Sequence, residues 1–195
     1  MPVEHTSAVT SITIDKPPSV AVGELMVAHL MVTDDRTVAS VPTGWAEIQN
    51  AYHANNRTVS YWKRFEAGDP ANFTWSFNAS AECGGSILRI TGAIASGNPI
   101  DDSSKNQGSS NTSNWPALTT TVDDCLIVRL LGRHQNYVTI PAEVLYNNDT
   151  SSASNPGQWA CHHFDQETAG PVAAQNATGA SWANWSTNSI AIKPP

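Results

Sequence analysis

Charged residues are scarce in this sequence, and cations are the scarcer kind. Asp, Glu, Lys and Arg make up 14% of the 195 residues, with 17 acidic and 10 basic side chains and a formal net charge of −7. Proteins that bind nucleic acid need clustered Lys and Arg to neutralise phosphates. Only Lys63 and Arg64 stand side by side, and one such pair on a strand is typical of a solvated rim. The composition therefore excludes a nucleic-acid partner.

Long apolar runs and paired cysteines are also missing. No stretch approaches the ~20 apolar residues of a membrane span, so no membrane partner is expected. The first residues, MPVEHTSAVTSITI, lack the basic and apolar segments of a secretory leader. The three cysteines, Cys83, Cys125 and Cys161, cannot all pair within one chain. Free thiols without a leader indicate assembly in a reducing cytoplasm.

Common catalytic motifs are absent as well. The sequence has neither the Gly-x-Ser-x-Gly nucleophile motif nor the His-Glu-x-x-His zinc motif. In CHHF at 161–164, strand alternation places His162 and His163 on opposite faces, and Cys161 with His163 would still need ligands from elsewhere. A tight turn before a strand explains CGGS at 83–86. We therefore predict no enzymatic activity, no catalytic or metal-binding residues and no cofactor.

Two further groups have both a structural and a functional interpretation. Asp101 and Asp102 are adjacent in PIDDSS, where turn formation is the expected use and weak calcium binding the alternative. Among the seven tryptophans, Trp45, Trp62 and Trp75 lie in strand patterns and are expected in the core. The others lie near turns or in the second half, where a tryptophan can cap a sandwich core or stack on a sugar ring. They are Trp115, Trp159, Trp182 and Trp185.

The residues that are abundant indicate strands and turns. FTWSF at 73–77 alternates, with its aromatic residues on one face and Thr74 and Ser76 on the other. LMVAHLM and CLIVRLL are nearly continuous apolar runs, as in central strands covered on both faces. KPPS, PTG, AGDP and NPG are turn signals. The sequence therefore predicts an all-β fold.

The two halves of the chain echo each other. VGELMVAHLM at 22–31 matches VDDCLIVRLL at 122–131, and SILRI at 86–90 matches SIAIK at 189–193. Paired segments stand about 100 residues apart, which indicates an internal duplication. Because each half alone would leave a sheet face open to water, we predict one domain over 1–195.

This predicted domain is a single antiparallel, jelly-roll-like β-sandwich. It is built from two pseudo-repeated halves at about 10–95 and 115–195. The Ser/Asn/Gly-rich segment 95–115 is expected to be the crossover between the halves. Pro99 and Trp115 would anchor its ends, and 103–113 would run over the surface. A true linker between two separate domains is the alternative.

The motifs in this order resemble a β-sandwich domain family of tailed-phage virion proteins, which is also found in bacterial multidomain surface proteins. The segments that carry the resemblance are VAVGELMVAHL, VPTGWAEI, VSYWKRF, PANFTWSF, ILRITGA, NPID and the closing IAIKPP. The resemblance spans about 12–194. Its motifs are strand and turn signatures, so it implies a fold and no catalytic residues. Related domains occur as capsid decoration or cement proteins and as tail-fibre components.

We therefore expect a non-enzymatic virion structural protein, above all a capsid decoration or cement protein on the outer virion surface, assembled in the host cytoplasm. Its partners would be other virion proteins, chiefly the major capsid protein, with self-association left open. A carbohydrate-binding adhesin or tail-fibre receptor-binding domain with a glycan partner is the alternative, and a glycan-active enzyme comes third. The contact elements expected are the N-terminal arm MPVEHTSAV and the crossover 95–115.

Overall fold

The computed structural model describes residues 2–134, 144–150 and 157–195. These residues form strands, turns and bends but no helix, so none of them belongs to a helix that could cross a membrane. The expectation of an all-β fold is confirmed. The strands are β1 (Val3–Asp15), β2 (Leu25–Thr33), β3 (Val38–Ser40), β4 (Ala46–His53), β5 (Asn56–Arg64), β6 (Asn72–Ile90), β7 (Ile100–Trp115), β8 (Leu118–Thr120), β9 (Cys125–His134), β10 (Val144–Thr150), β11 (Gly157–Gln166), β12 (Gly170–Val172) and β13 (Gln175–Ile192).

Two large sheets contain most of the strands. The first has the order β1-β6-β2-β5-β4, with β3 paired to β6, and the second has the order β10-β11-β9-β13-β7. The short strands β12 and β8 form a separate pair. Neighbouring strands are antiparallel throughout, as expected. Each of the two large sheets draws on one continuous half of the chain, and the two sheets lie face to face in a sandwich-like arrangement.

The central strand of the first sheet shows why the apolar runs form strands. All nine residues of β2 are buried. Successive side chains on a strand point to opposite faces, so Met26, Ala28 and Leu30 pack in one apolar cluster. Leu25 and Val27 pack in another cluster, which contains residues of the second sheet. The prediction that LMVAHLM is covered on both faces is confirmed.

The first half has an aromatic core of its own. Every fully buried member of this cluster lies between Ile12 and Ile87. At its centre the Trp75 ring lies 5.3 Å from the Trp45 ring and 6.1 Å from the Tyr61 ring, measured between centroids. The buried–exposed alternation predicted for FTWSF is confirmed, because its three aromatic residues are buried and Thr74 is exposed.

A second apolar cluster joins the two sheets. Leu25 and Val27 of β2 meet Val128 and Leu130 of β9 there, and Ile190 of β13 completes the contact. Hydrogen bonds between polar side chains of β5 and β13 continue the contact along the sheets. The interior is thus divided among several clusters. Whether the chain unfolds as one domain over 1–195 stays a prediction.

The segment expected to be an irregular crossover is mostly strand. Residues 100–115 form β7, which pairs along its length with β13 and is the edge of the second sheet. The sequence did not indicate this strand, because β7 has almost no apolar residues. A strand at the edge of a sheet needs few apolar residues. Its ends are anchored as predicted: Pro99 is buried and accepts a hydrogen bond from Lys193 N at 2.8 Å, and Trp115 Nε1 donates to Leu130 O at 2.9 Å.

The turn predicted at CGGS is also strand. Gly84 and Gly85 lie inside β6, where that strand pairs with both β1 and β2. A Cβ atom at Gly84 would lie 2.6 Å from the Trp159 ring of the second sheet, and one at Gly85 would lie 2.8 Å from Ile14 Cδ1. These glycines therefore allow close packing, and backbone reversal is not their role.

We expect Trp75→Ala to lower the free energy of unfolding by about 3–5 kcal/mol, since it empties the centre of the aromatic core. Trp75 is 0% exposed, whereas Trp182 is 70% exposed. The matched control Trp182→Ala should therefore unfold like the wild type. Urea unfolding curves of the three proteins measure both effects. Equal losses of stability in the two variants would contradict the core assignment.

Gly84→Ala should destabilise the contact between the sheets by about 1–3 kcal/mol, because the buried Trp159 ring has no room to retreat. Gly68 has open space around its Cα, so Gly68→Ala is the control and should be neutral. Thermal unfolding of both variants, followed by Trp fluorescence, distinguishes the two sites. A wild-type melting temperature for Gly84→Ala would mean that the sheets are not in close contact there.

Candidate functional site

The residues of CHHF are divided between two faces of β11. Cys161 lies in the cluster between the sheets. His162 faces the other way, with its ring edge-on to Trp115 at 4.8 Å between centroids. His163 lines a cleft that includes Arg89 of the first sheet. The predicted separation of His162 from His163 is confirmed. In the part of the chain that the structure describes, no three His, Cys, Asp or Glu side chains come together in a metal-binding group.

The three cysteines are free and buried. Burial raises the pKa of the Cys83 thiol to about 12, and it also raises the pKa of Cys161. Burial, with a smaller contribution from nearby Asp101, raises the pKa of Cys125. A thiol of high pKa stays protonated at neutral pH and is a poor nucleophile. These side chains serve as small core residues.

The adjacent carboxylates of PIDDSS hold a neighbouring loop in place. Asp101 Oδ2 accepts a hydrogen bond from Thr121 N at 2.6 Å, and Asp102 Oδ2 accepts one from Thr119 N at 2.8 Å. Asp102 Oδ1 also accepts from Ser103 N at 2.8 Å. The turn expected at these carboxylates is not formed, because both residues lie in β7; their side chains tie β7 to the segment that contains β8.

The cation pair that the sequence placed on a solvated rim is divided. Lys63 is buried, and its Nζ lies 3.1 Å from Asp69 Oδ1 and 3.7 Å from Glu66 Oε2. Arg64 is half-buried, with Nη2 donating to the backbone oxygen of Ile94 at 2.5 Å. The prediction of a solvated pair was wrong, because a nearby carboxylate makes burial of the ammonium tolerable.

The N-terminal arm expected as a contact element is a strand with an open edge. Residues from Val3 onward form β1, and β6 is the one strand hydrogen-bonded to it among those described. Ile12 and Ile14 anchor its C-terminal half in the aromatic core. The N-terminal half is more exposed, and its pairing with β6 is interrupted between His5 and Val9.

A groove follows the flank of this strand. Its volume is about 620 Å³, and the described residues that line it all belong to β1. The lining residues are Val3, His5, Ala8, Val9, Thr10, Ser11 and Thr13. An edge strand presents unpaired N–H and C=O groups, and these can pair with a strand of another chain. We take the exposed edge of β1 as the candidate contact surface.

The second expected contact element, β7, is more enclosed. Its first part lies against β4, where Gln49 Nε2 donates to Ser103 Oγ at 2.9 Å. Lys105 Nζ donates to Asn50 O at 2.7 Å on the same side. These side-chain bonds occupy part of the edge of β7. Consequently β1 is the better candidate for a strand-to-strand contact.

The tryptophans near turns have two different environments. Trp115 and Trp159 are fully buried, and Trp185 is nearly so. They confirm the interpretation of turn-region tryptophans as core residues. Trp182 is 70% exposed beside the pairing irregularity between Thr178 and Ala183 in β13. An exposed indole of this kind can stack on a sugar ring.

The sequence reading did not single out the buried ionisable residues of the central strands. His29 of β2 and Arg129 of β9 lie inside the apolar runs LMVAHLM and CLIVRLL, and both are buried. The sequence does contain a signal for them, namely a charged or titratable residue within an apolar run. Such a residue must lose its hydration when the strand is covered on both faces. The sequence could not tell what such a residue would meet.

Comparison with known proteins adds no relative to this description. Searches against protein-family models, curated proteins and solved structures found no match. The resemblance to phage virion domains therefore remains an expectation from the sequence motifs.

The buried histidines predict a loss of stability in weak acid. Burial lowers the pKa of His29 from 6.5 to about 3, and burial with the nearby Arg129 charge lowers that of His162 to about 4. Below pH 6.5 the unfolded chain binds protons that the folded chain does not, so acidification favours unfolding. Each histidine contributes up to about 1.4 kcal/mol per pH unit to the slope of the free energy of unfolding against pH.

We therefore expect the free energy of unfolding to fall steadily between pH 6.5 and 4.5, a range bounded by the ordinary His and Glu pKa values. Denaturant titrations at several pH values measure the slope, and His162→Gln should make it shallower. Between pH 7 and 8.5 these histidines contribute no slope, which serves as the internal control. A slope that is unchanged in His162→Gln would contradict the assignment.

Proposed function

We propose that this chain is a non-enzymatic virion structural protein, a capsid decoration or cement protein that acts through protein–protein contacts. The observation that carries the proposal is the open edge of β1, in the segment that the sequence marked as a contact element. The resemblance of the strand and turn motifs to tailed-phage virion domains supports it. Burial keeps the Cys83 thiol protonated at neutral pH, which agrees with a role in contacts rather than in catalysis.

The contact would use backbone groups of β1. A strand or extended tail of the capsid protein can pair with the free edge, so that main-chain hydrogen bonds provide affinity and the groove along β1 selects side chains. Such an interface need bury only about 800 Å² per partner. A shell presents many copies of the same contact together, which raises the effective concentration of each one.

The charge of the chain suits the outer surface of a shell. The formal net charge is −7, so the protein would be repelled by packaged nucleic acid. This charge and the three free thiols support a position outside the shell, with assembly in the host cytoplasm. Self-association through β1 of a second copy is compatible with the same edge.

We also propose that a duplication produced the two pseudo-repeated halves of a jelly-roll-like sandwich. When the short strands β3, β8 and β12 are left aside, each half contributes five strands to its sheet. Both sheets place their first, fifth, second, fourth and third strands side by side in that order. A shared strand order, together with the sequence echoes about 100 residues apart, supports a common origin of the halves.

A carbohydrate-binding adhesin or tail-fibre domain is the second candidate function. Trp182 is the observation that favours it, since its indole is 70% exposed. Glycan-array binding at micromolar strength that disappears in Trp182→Ala would favour this candidate. Stoichiometric recovery of the protein from purified capsids without tails would favour the decoration protein.

The proposal predicts that Ala8→Lys lowers occupancy on tail-free capsids by about tenfold, which corresponds to ~1.4 kcal/mol of contact free energy. Ala8 is exposed on β1, and a lysine there blocks strand addition at an edge. Ala67→Lys adds the same charge at an exposed position between β5 and β6 and is the matched control. Quantitative gels of reconstituted, purified particles measure occupancy.

Full occupancy by Ala8→Lys would exclude the edge of β1 as the contact. Absence of the wild-type protein from capsids would overturn the decoration function itself. Point substitution is preferable to deletion of residues 2–9, because the deletion would also remove the pairs that Val3, Glu4 and His5 make with β6. Circular dichroism of each variant confirms that the sheets are intact.

A further inference from the structure

Arg129 is a buried cation in the middle of β9. Its side chain is 1% exposed, and its guanidinium lies over the Phe164 ring at 5.1 Å from the centroid. Nη1 donates to Gln175 Oε1 at 2.5 Å, and Nη2 donates to the backbone oxygen of Ala173 at 2.5 Å. Nε has no hydrogen-bond partner. Two neutral acceptors and an aromatic face thus surround the positive charge.

No carboxylate balances this charge among the described residues. The ion pairs found there belong to other cations, namely Arg57, Lys63 and Arg89. A buried charge without a counter-ion is costly, and burial lowers the pKa of Arg129 to about 10. The side chain is still cationic at neutral pH. An anion from outside the chain would relieve this cost.

A cleft opens beside the arginine. Its volume is about 410 Å³, which is within the size range of sites for small molecules. The side chains that matter most for binding are Arg129, His162, Phe164, Pro171 and Gln175. His162 is 2% exposed, and its Nε2 has no hydrogen-bond partner. Two of the residues that line the cleft thus each carry a buried nitrogen atom without a partner, and the lining also includes apolar side chains.

The charge of the cleft limits the kind of anion. The pKa of His162 is lowered to about 4, so its ring is neutral at neutral pH and adds no second positive charge. Arg129 is then the one Arg or Lys side chain among the described residues that line the cleft, which also include His163. A single guanidinium matches the single charge and the planar geometry of a carboxylate. A phosphate dianion would remain half-neutralised in a largely apolar cleft.

We propose that this cleft binds a small carboxylic acid, with the carboxylate on the Arg129 guanidinium and the body of the ligand against Phe164 and Pro171. His162, whose Nε2 has no hydrogen-bond partner, also lines the cleft. The body can be an aromatic ring or a sugar ring, because both have an apolar face that packs on Phe164. This site is independent of the edge of β1 and of the proposed function.

The binding test uses the full chain and titrates benzoate and glucuronate as the two ligand types. Benzamide and glucose are their uncharged counterparts, and inorganic phosphate tests the preference for a carboxylate. Trp115 lies against His162, so Trp fluorescence should report binding alongside calorimetry. We expect saturable binding of at least one carboxylate, at least about tenfold tighter than its uncharged counterpart and than phosphate.

Two variants test the assignment of the site. Arg129→Met should retain the fold, because replacing a buried charge by an apolar side chain is often tolerated, and should weaken carboxylate binding by at least about tenfold. Gln175→Glu puts a carboxylate of the same shape on Nη1, so it should raise the melting temperature and abolish binding. Gln107→Glu is the same change at an exposed position of β7, so it should leave both the melting temperature and carboxylate binding unchanged.

The outcomes separate a ligand site from a structural arginine. Binding of benzoate or glucuronate that is lost in Gln175→Glu and kept in Gln107→Glu supports the proposal. Absence of saturable carboxylate binding by the wild type overturns it, as does binding that persists unchanged in Gln175→Glu. If Arg129→Met does not fold, the isosteric change at Gln175 still decides between the two.

Discussion

Hydrogen bonds between β5 and β13 cross the space between the two sheets and set their relative position. Asn56 Nδ2 donates to Ser186 Oγ at 2.6 Å, Ser186 Oγ donates to Thr58 Oγ1 at 2.8 Å, and Asn188 Nδ2 donates to Ser60 Oγ at 3.0 Å. An apolar contact alone tolerates sliding, whereas buried directional bonds must be satisfied together. The position of one sheet over the other, and with it the shared apolar cluster, depends on this row of bonds.

The same alignment decides which residues of the central strands face each other. Leu25 and Val27 point from β2 toward the second sheet, and Val128 and Leu130 point from β9 toward the first. At the offset of 100 residues between matching segments of the two halves, Arg129 of β9 corresponds to His29 of β2. Side chains alternate along a strand, so Arg129, which lies between Val128 and Leu130, points away from the shared cluster and into the second half. A difference of one position along β9 thus places the cation beside the cleft.

The molecule combines a well-packed interior with two surfaces of different character. The edge of β1 offers backbone hydrogen-bonding groups to a partner chain, which suits a contact in a repeating assembly. The cleft at Arg129 offers a single buried charge, which suits a small anion. The two are carried by different sheets, β1 by the first and Arg129 by the second. They can therefore act independently of each other.

The sequence by itself determined the all-β class, the central strands and the aromatic core around Trp75, because alternation and apolar runs are local properties of the chain. It also indicated the anchored ends of 95–115 and the split of His162 from His163. Only the tertiary structure decided that the Ser- and Asn-rich β7 is a paired strand and that Lys63 is buried on Asp69. It also decided that β1 pairs with β6 alone among the large strands that the structure describes. Those outcomes depend on partners distant in the chain, whose hydrogen bonds and charges no local pattern contains.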